Sequence, residues 1–159
     1  MKKLHIQFTR PVGFKPLSWL IRVVQGGTSY SHVRLCWVNS VGVPIVYEAS
    51  GSSVKFLGPK AGDAVVVNRQ YVLEVDKEQY RKLVRICMLY AGVSYGVWQV
   101  INIGLKTLFG LTLPGDGDNT IVCSELVARV LEEGLGFNLP YNFDKVTPKE
   151  LEQWCSKNL

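Results

Sequence analysis

Leu4, Ile6 and Phe8 alternate with His5 and Gln7, a two-residue period that predicts a short half-buried strand, with His5 on its wet face. Within 11–27 the spacing lengthens. Leu17, Leu20, Ile21 and Val24 recur as on one face of a short helix, which Gly26-Gly27 breaks. The segments 32–38 and 43–50, rich in Val, Ile, Trp and Tyr, flank Asn39-Ser40-Val41-Gly42 and read as a β-hairpin. The stretches 54–56, 64–67 and 70–75 are expected to be further strands, divided by turn signals at Gly58-Pro59 and Gly62-Asp63. The first half of the chain is therefore expected to be mainly sheet.

After Asp76 the period becomes helical. Tyr80, Leu83, Val84, Cys87 and Ala91 share a face, with Asp76 as N-cap, Gln79 in the capping-box position and Gly92 as the stop. Residues 95–109 are expected to be helical and 114–119 a loop. A further helix is expected over 122–133, capped by Asn119 or Thr120 and stopped by Gly134. Cys123, Leu126, Val127, Val130 and Leu131 form its apolar face, and Glu125, Arg129, Glu132 and Glu133 are assigned to solvent. Thr147-Pro148-Lys149-Glu150 opens a last helix bearing Leu151 and Trp154. Strands followed by helices predict the α+β class, one antiparallel sheet with helices packed on it. The 159 residues, 47% hydrophobic and 19% charged, fit one domain over 1–159, and no internal repeat is visible.

Charge adds an asymmetry. Residues 1–75 hold nine basic and three acidic side chains, and the remainder nine and ten. Such a bias suits an anionic partner, but Arg10, Lys15, Arg22, Arg34 and Arg69 are scattered among apolar runs and form no nucleic-acid motif, so no nucleic acid is expected. The four cysteines, 36, 87, 123 and 155, contain no CxxC pair and no finger-type spacing to histidine, which argues against zinc, and no cofactor is expected. The opening Met-Lys-Lys-Leu-His-Ile-Gln-Phe lacks the apolar core and cleavage site of a secretion signal, and the expected compartment is a reducing cytoplasm. Twenty residues between Arg85 and Lys106 carry no charge, long enough to span a bilayer. Gly92, Ser94, Gly96, Gln99, Asn102 and Gly104 lower their hydropathy and favour two buried or half-buried helical pieces broken near Gly92 over a transmembrane helix.

Cys123 is the chemically distinctive cysteine, because the first turn of a helix offers unpaired N–H groups and the positive end of the dipole to a thiolate. Cys36 falls mid-strand, Cys87 mid-helix on an apolar face, and Cys155 near the chain end. His32 opens its strand at a sheet end, where a base has room to serve a cleft. If the hairpin closes symmetrically about Ser40, paired positions sum to 80 and His32 stands opposite Glu48, which would accept the ring N–H. A slip of one residue would turn Glu48 to the other face. Tyr30 reads as a packed aromatic near the same cleft. Each of these residues also has an ordinary reading, the cysteine as a small core residue and the glutamate as an exposed strand residue.

Taken together, Ser31-His32-Val33, Tyr47-Glu48-Ala49 and Val122-Cys123-Ser124-Glu125-Leu126-Val127 resemble the circularly permuted NlpC/P60-like (papain-like) cysteine hydrolases, most closely the bacterial and phage subgroup related to YiiX and YaeF. Gly92-Val93-Ser94-Tyr95-Gly96 and Val146-Thr147-Pro148-Lys149-Glu150-Leu151 add to the resemblance, which spans about residues 5 to 155. It implies a barrel-like antiparallel sheet flanked by helices in a permuted papain-like fold. It further implies Cys123 as nucleophile, His32 as general base and then acid, and Glu48 as orienter, acting on an amide, ester or thioester. Peptidoglycan peptides and lipid-linked acyl groups are the implied substrates. A non-catalytic module that recognises a lipid or peptide through the basic N-terminal half and the uncharged 86–105 segment is the alternative, and peripheral membrane contact is compatible with either. Val122 stands where the lecithin–retinol acyltransferase branch has Asn before its cysteine, which weakens acyl transfer.

Overall fold

The alternation that marks the first strand runs the full length of β1 (Lys2–Pro11), which turns Leu4, Ile6 and Phe8 into the core. A computed structural model describes residues 1–62, 64–111 and 119–159, without the side chains of residues 62, 103, 107 and 144. After β1 come α1 (Pro16–Val24), β2 (His32–Val38), β3 (Pro44–Ser50), β4 (Ser53–Leu57) and β5 (Val65–Val75). The chain continues through α2 (Lys77–Tyr90), β6 (Ser94–Tyr95), α3 (Val97–Phe109), β7 (Thr120–Ile121), α4 (Cys123–Arg129) and α5 (Pro148–Asn158). The expected 114–119 loop lies, except for Asn119, outside the described residues, as does Asp63 of the second turn signal.

The class is α+β. Seven strands form one sheet in the order β5-β1-β2-β3-β4-β6-β7, antiparallel except for the parallel β6–β7 pair, and β5 and β7 are its two edges. Leu4, Ile6, Val33, Leu35 and Tyr47 from the sheet meet Leu83 of α2, Leu126 and Val127 of α4 and Leu151 of α5 in one core, each fully buried aliphatic adding roughly 1.5–3 kcal/mol. Both capping boxes form as expected: Asp76 accepts from the N–H groups of Glu78 and Gln79, and Thr147 from that of Glu150.

Several expectations need correction. The stretches 64–67 and 70–75 are one strand, because β1 offers a continuous partner and a bulge between Phe8↔Arg69 and Thr9↔Val67 absorbs the polar interruption. The uncharged run is split by Gly92, at φ +87°, and by β6, so α3 starts at Val97 rather than at residue 95. No helix among the described residues is long and apolar enough to cross a membrane. Thr120 is used by β7, and Val122, not Asn119 or Thr120, takes the N-cap position of α4. The helix then widens into a π-helical turn, Val130–Gly134, ending where a Cβ on Gly134 would sit 3.4 Å from Leu83 Cα of α2. Glu125 does not face solvent: it is buried, with its charge matched one turn on by Arg129 Nε at 2.9 Å.

Candidate active site at the start of α4

The site begins with the hairpin register. Leu35↔Tyr47 and Trp37↔Ile45 pair, so positions sum to 82 and the turn closes about Val41, not Ser40. Asn39 causes this: its side-chain oxygen accepts from the N–H groups of Val41 and Val43 and holds the longer turn. His32 is therefore not opposite Glu48. Because the difference is two residues, side-chain parity survives, and Glu48 lies diagonally from His32 on the same face. The diagonal is short enough: His32 Nε2 and Glu48 Oε2 are 3.1 Å apart, both side chains largely buried.

Glu48 is held as a carboxylate. Burial opposes its charge, but the His32 hydrogen bond and imidazolium, the Ser50 hydroxyl and nearby Arg34 outweigh that and bring it down to about 2 from 4.5. Arg34 is buried, with Nε donating to Gln7 Oε1 at 3.0 Å and Nη1 to the Ala61 carbonyl at 3.1 Å. This inward cation is one of the five considered for nucleic acid, and it serves the carboxylate instead.

With Nε2 engaged by Glu48, the His32 imidazole also stands in hydrogen-bond and charge contact with Cys123. Burial works against both charges, yet the pair shifts as an ion pair: His32 is pushed up by the thiolate and Glu48, and Cys123 is lowered from 9.0 by His32 and by the N–H groups of Val33 and Ser124. The other cysteines move oppositely. Burial raises Cys36 to about 11 and Cys87 and Cys155 to about 12.

Cys123, 4% exposed, lines a cleft of about 510 Å3, its open mouth included, bounded by α1, α3, the start of α4 and 146–148. The walls are fastened by hydrogen bonds. Ser18 and Ser31 meet at 2.6 Å, Lys149 N–H donates to Gln25 Oε1 at 2.8 Å, and Ser124 Oγ donates to the Val146 carbonyl at 2.6 Å. Tyr95 lines the cleft; burial first, then the charges of Cys123 and Glu48, keep its phenol protonated and a donor.

The structure thus brings Cys123, His32 and Glu48 together. Tyr30 is not in the cleft; it packs on Phe8 and points its hydroxyl at Glu152, 3.4 Å away. His5 lies mid-strand opposite Cys36. Sequence reasoning missed Arg34, Ser50 and Tyr95, and only the phase of 46–50 could have flagged Ser50. Among the described residues no three His, Cys, Asp or Glu side chains gather as a metal site. In comparisons with known proteins, no family model matches the chain and no curated protein matches it.

Proposed function

We propose that the protein is a cysteine hydrolase that cleaves an amide or acyl (ester or thioester) bond. The observation that carries this reading is that, of four cysteines, only Cys123 is held toward the thiolate, by an imidazole that a buried carboxylate holds in turn. Cys123 Sγ attacks the carbonyl carbon, and the C=O electron pair moves to oxygen. The N–H of Cys123, at the first helical position and without an intrahelical acceptor, and the Tyr95 hydroxyl are the donors offered to that oxyanion. Collapse restores the C=O and breaks the bond to the leaving nitrogen, oxygen or sulfur, which takes the proton from His32. Water then gives its proton to His32 and its oxygen to the acyl carbon. A second collapse releases the acid and returns the thiolate–imidazolium pair.

The chain order His32, Glu48, Cys123, two strands and then a helix start, supports membership of the circularly permuted NlpC/P60-like hydrolases. The contact of α4 with β2 and β3 suits a permuted papain-like fold, although the sheet is open at β5 and β7 rather than closed as the expected barrel. The test is turnover on a panel of peptide, ester and thioester substrates. Cys123→Ala and His32→Ala should each abolish it, and the double variant should cost little more than either, because the residues act as a unit. Additive losses overturn the reading. The small exposure of Cys123 and the apolar cleft favour one second reading, a binding module; ligand retained equally by wild type and Cys123→Ala, with no turnover, would establish it.

A further inference from the structure

The two helices that wall the cleft turn apolar residues outward as well as inward. Seven of the nine residues of α1 are apolar and none is fully buried; Leu20, Ile21 and Val24 face the cleft, while Trp19, 51% exposed, and Val23 lie one turn apart on the other side. On α3, Val100 and Gly104 face the cleft, whereas Trp98 and Phe109, 59% and 68% exposed, stand three turns apart along the outer side. The helices are in contact. A Cβ on Gly104 would come within 3.0 Å of Leu20 Cδ2, so nothing separates them where they cross.

Charge says what such a surface fits. The sequence has no Asp or Glu from Met1 to Tyr47 or from Gln79 to Gly115, the two stretches that hold these helices, while Lys15, Arg22 and Lys106 accompany them. Exposed Trp and Phe on helices that themselves carry cations and no acid complement an anionic lipid interface, where the rings enter the headgroup–acyl boundary and the cations meet phosphate. Contact made through the sides of two helices is peripheral.

We propose that the outer sides of α1 and α3 dock on an anionic phospholipid surface, and that the cleft these helices line takes the acyl chain of a lipid and presents its carbonyl to Cys123. The substrate half rests on the cysteine-hydrolase reading; the docking half does not. The same two helices form both surfaces, which gives a chain leaving the bilayer a short apolar path to the thiol.

The tryptophans report docking directly, since Trp37 and Trp154 are buried and Trp19 and Trp98 are exposed. Cys123→Ala protein is titrated with vesicles of phosphatidylglycerol and phosphatidylcholine, or of phosphatidylcholine alone, following emission and its quenching by brominated acyl chains. The expected result is a blue shift and quenching with the anionic vesicles only. Lys15→Gln with Lys106→Gln, both at exposed positions, should weaken partitioning about 25-fold, and Trp19→Ser with Trp98→Ser should remove it, circular dichroism remaining unchanged. Unchanged emission with every vesicle, or equal partitioning to both kinds, overturns the docking proposal. A blue shift that instead grows with protein concentration in the absence of lipid also overturns it, in favour of a second copy of the chain. Wild-type protein should also hydrolyse a long-chain ester faster in anionic vesicles than a short soluble ester; the reverse preference overturns the lipid-acyl assignment. Fast His32-dependent labelling of Cys123 without vesicle binding sinks docking alone. Vesicle binding with Cys123 labelling no faster than Cys155 sinks the hydrolase reading and leaves docking standing.

Discussion

Removing the imidazole should silence Cys123, and the structure sets the size of the effect. In His32→Ala the thiol loses the opposing charge of the imidazolium and keeps two backbone donors, from Val33 and Ser124, in a buried setting. Cys87 and Cys155 show what burial does to a thiol here: both rise from 9.0 to about 12. A rise of that extent lowers the thiolate population at pH 6 about a thousandfold. The more basic thiolate is intrinsically faster, by about 30-fold over the same span for a Brønsted slope near one half. The net slowing is therefore about 30-fold relative to an ordinary thiol, and larger relative to wild type, whose Cys123 starts below 9.0. Residue-resolved alkylation with iodoacetamide at pH 6, read by mass spectrometry, measures it, with Cys155 as the internal reference. Loss of the ring also opens access to a thiol that is 4% exposed, which biases the experiment toward faster labelling and makes a slowing more telling. If wild-type Cys123 labels no faster than Cys155, or if His32→Ala changes the rate by less than threefold, the ion pair does not govern this thiol and the reasoning fails.

Turnover should fall on the alkaline side as His32, raised from 6.5 to about 10 by the thiolate and Glu48 against burial, loses its proton; a loss centred near pH 7 instead would refute the buried pair. The carboxyl of Glu48 is depressed in the fold, so its stabilisation is complete above pH 4.5 and disappears toward pH 2, with about 2 kcal/mol gone by pH 3; urea midpoints at pH 5 and pH 3 should differ less in Glu48→Gln than in wild type. Ser124→Ala strands the buried Val146 carbonyl and should cost about 1–3 kcal/mol in chemical denaturation, an unchanged midpoint showing that the bond fastens nothing. Tyr95→Phe should lower kcat about 10²–10³-fold with Cys123 alkylation unaltered, whereas an equal loss in both would make Tyr95 a support of the ion pair rather than an oxyanion donor.

Features with local causes were legible in the sequence. The boxes at Asp76–Gln79 and Thr147–Glu150 act within four residues, and the helical setting of Cys123 follows from the apolar phase after it. Features that depend on distant partners were not. Tyr95 reads as helical because the strand that holds it, β7, lies twenty-five residues on, in Thr120–Ile121. Arg34 reads as a surface cation because the turn that covers it, with the Ala61 carbonyl, is remote in sequence. Glu125 reads as wet because its neutralising partner sits on the same helix face that the pattern assigns to solvent. The His32–Glu48 link lies between these cases. Its face is local, set by alternation, while its pairing depends on how Asn39 shapes the turn; parity was readable and the partner position was not.

The ladder between β2 and β3 runs only as far as Leu35–Tyr47, and at Val33 the next main-chain N–H in phase turns to the sulfur of Cys123 instead of to a strand. Beside the His32 imidazole, the thiolate is thus held by a peptide group, and this shapes the tolerance of position 33 to mutation. Exchanges at residue 33 among Val, Ile, Leu or Thr alter core volume and leave the donor in place, so their effects on folding and on thiolate chemistry are separable. Proline alone deletes the donor outright. A lineage can therefore repack the core beneath this site, substitution by substitution, without rewriting the main-chain donor that assists the imidazole in holding its nucleophile.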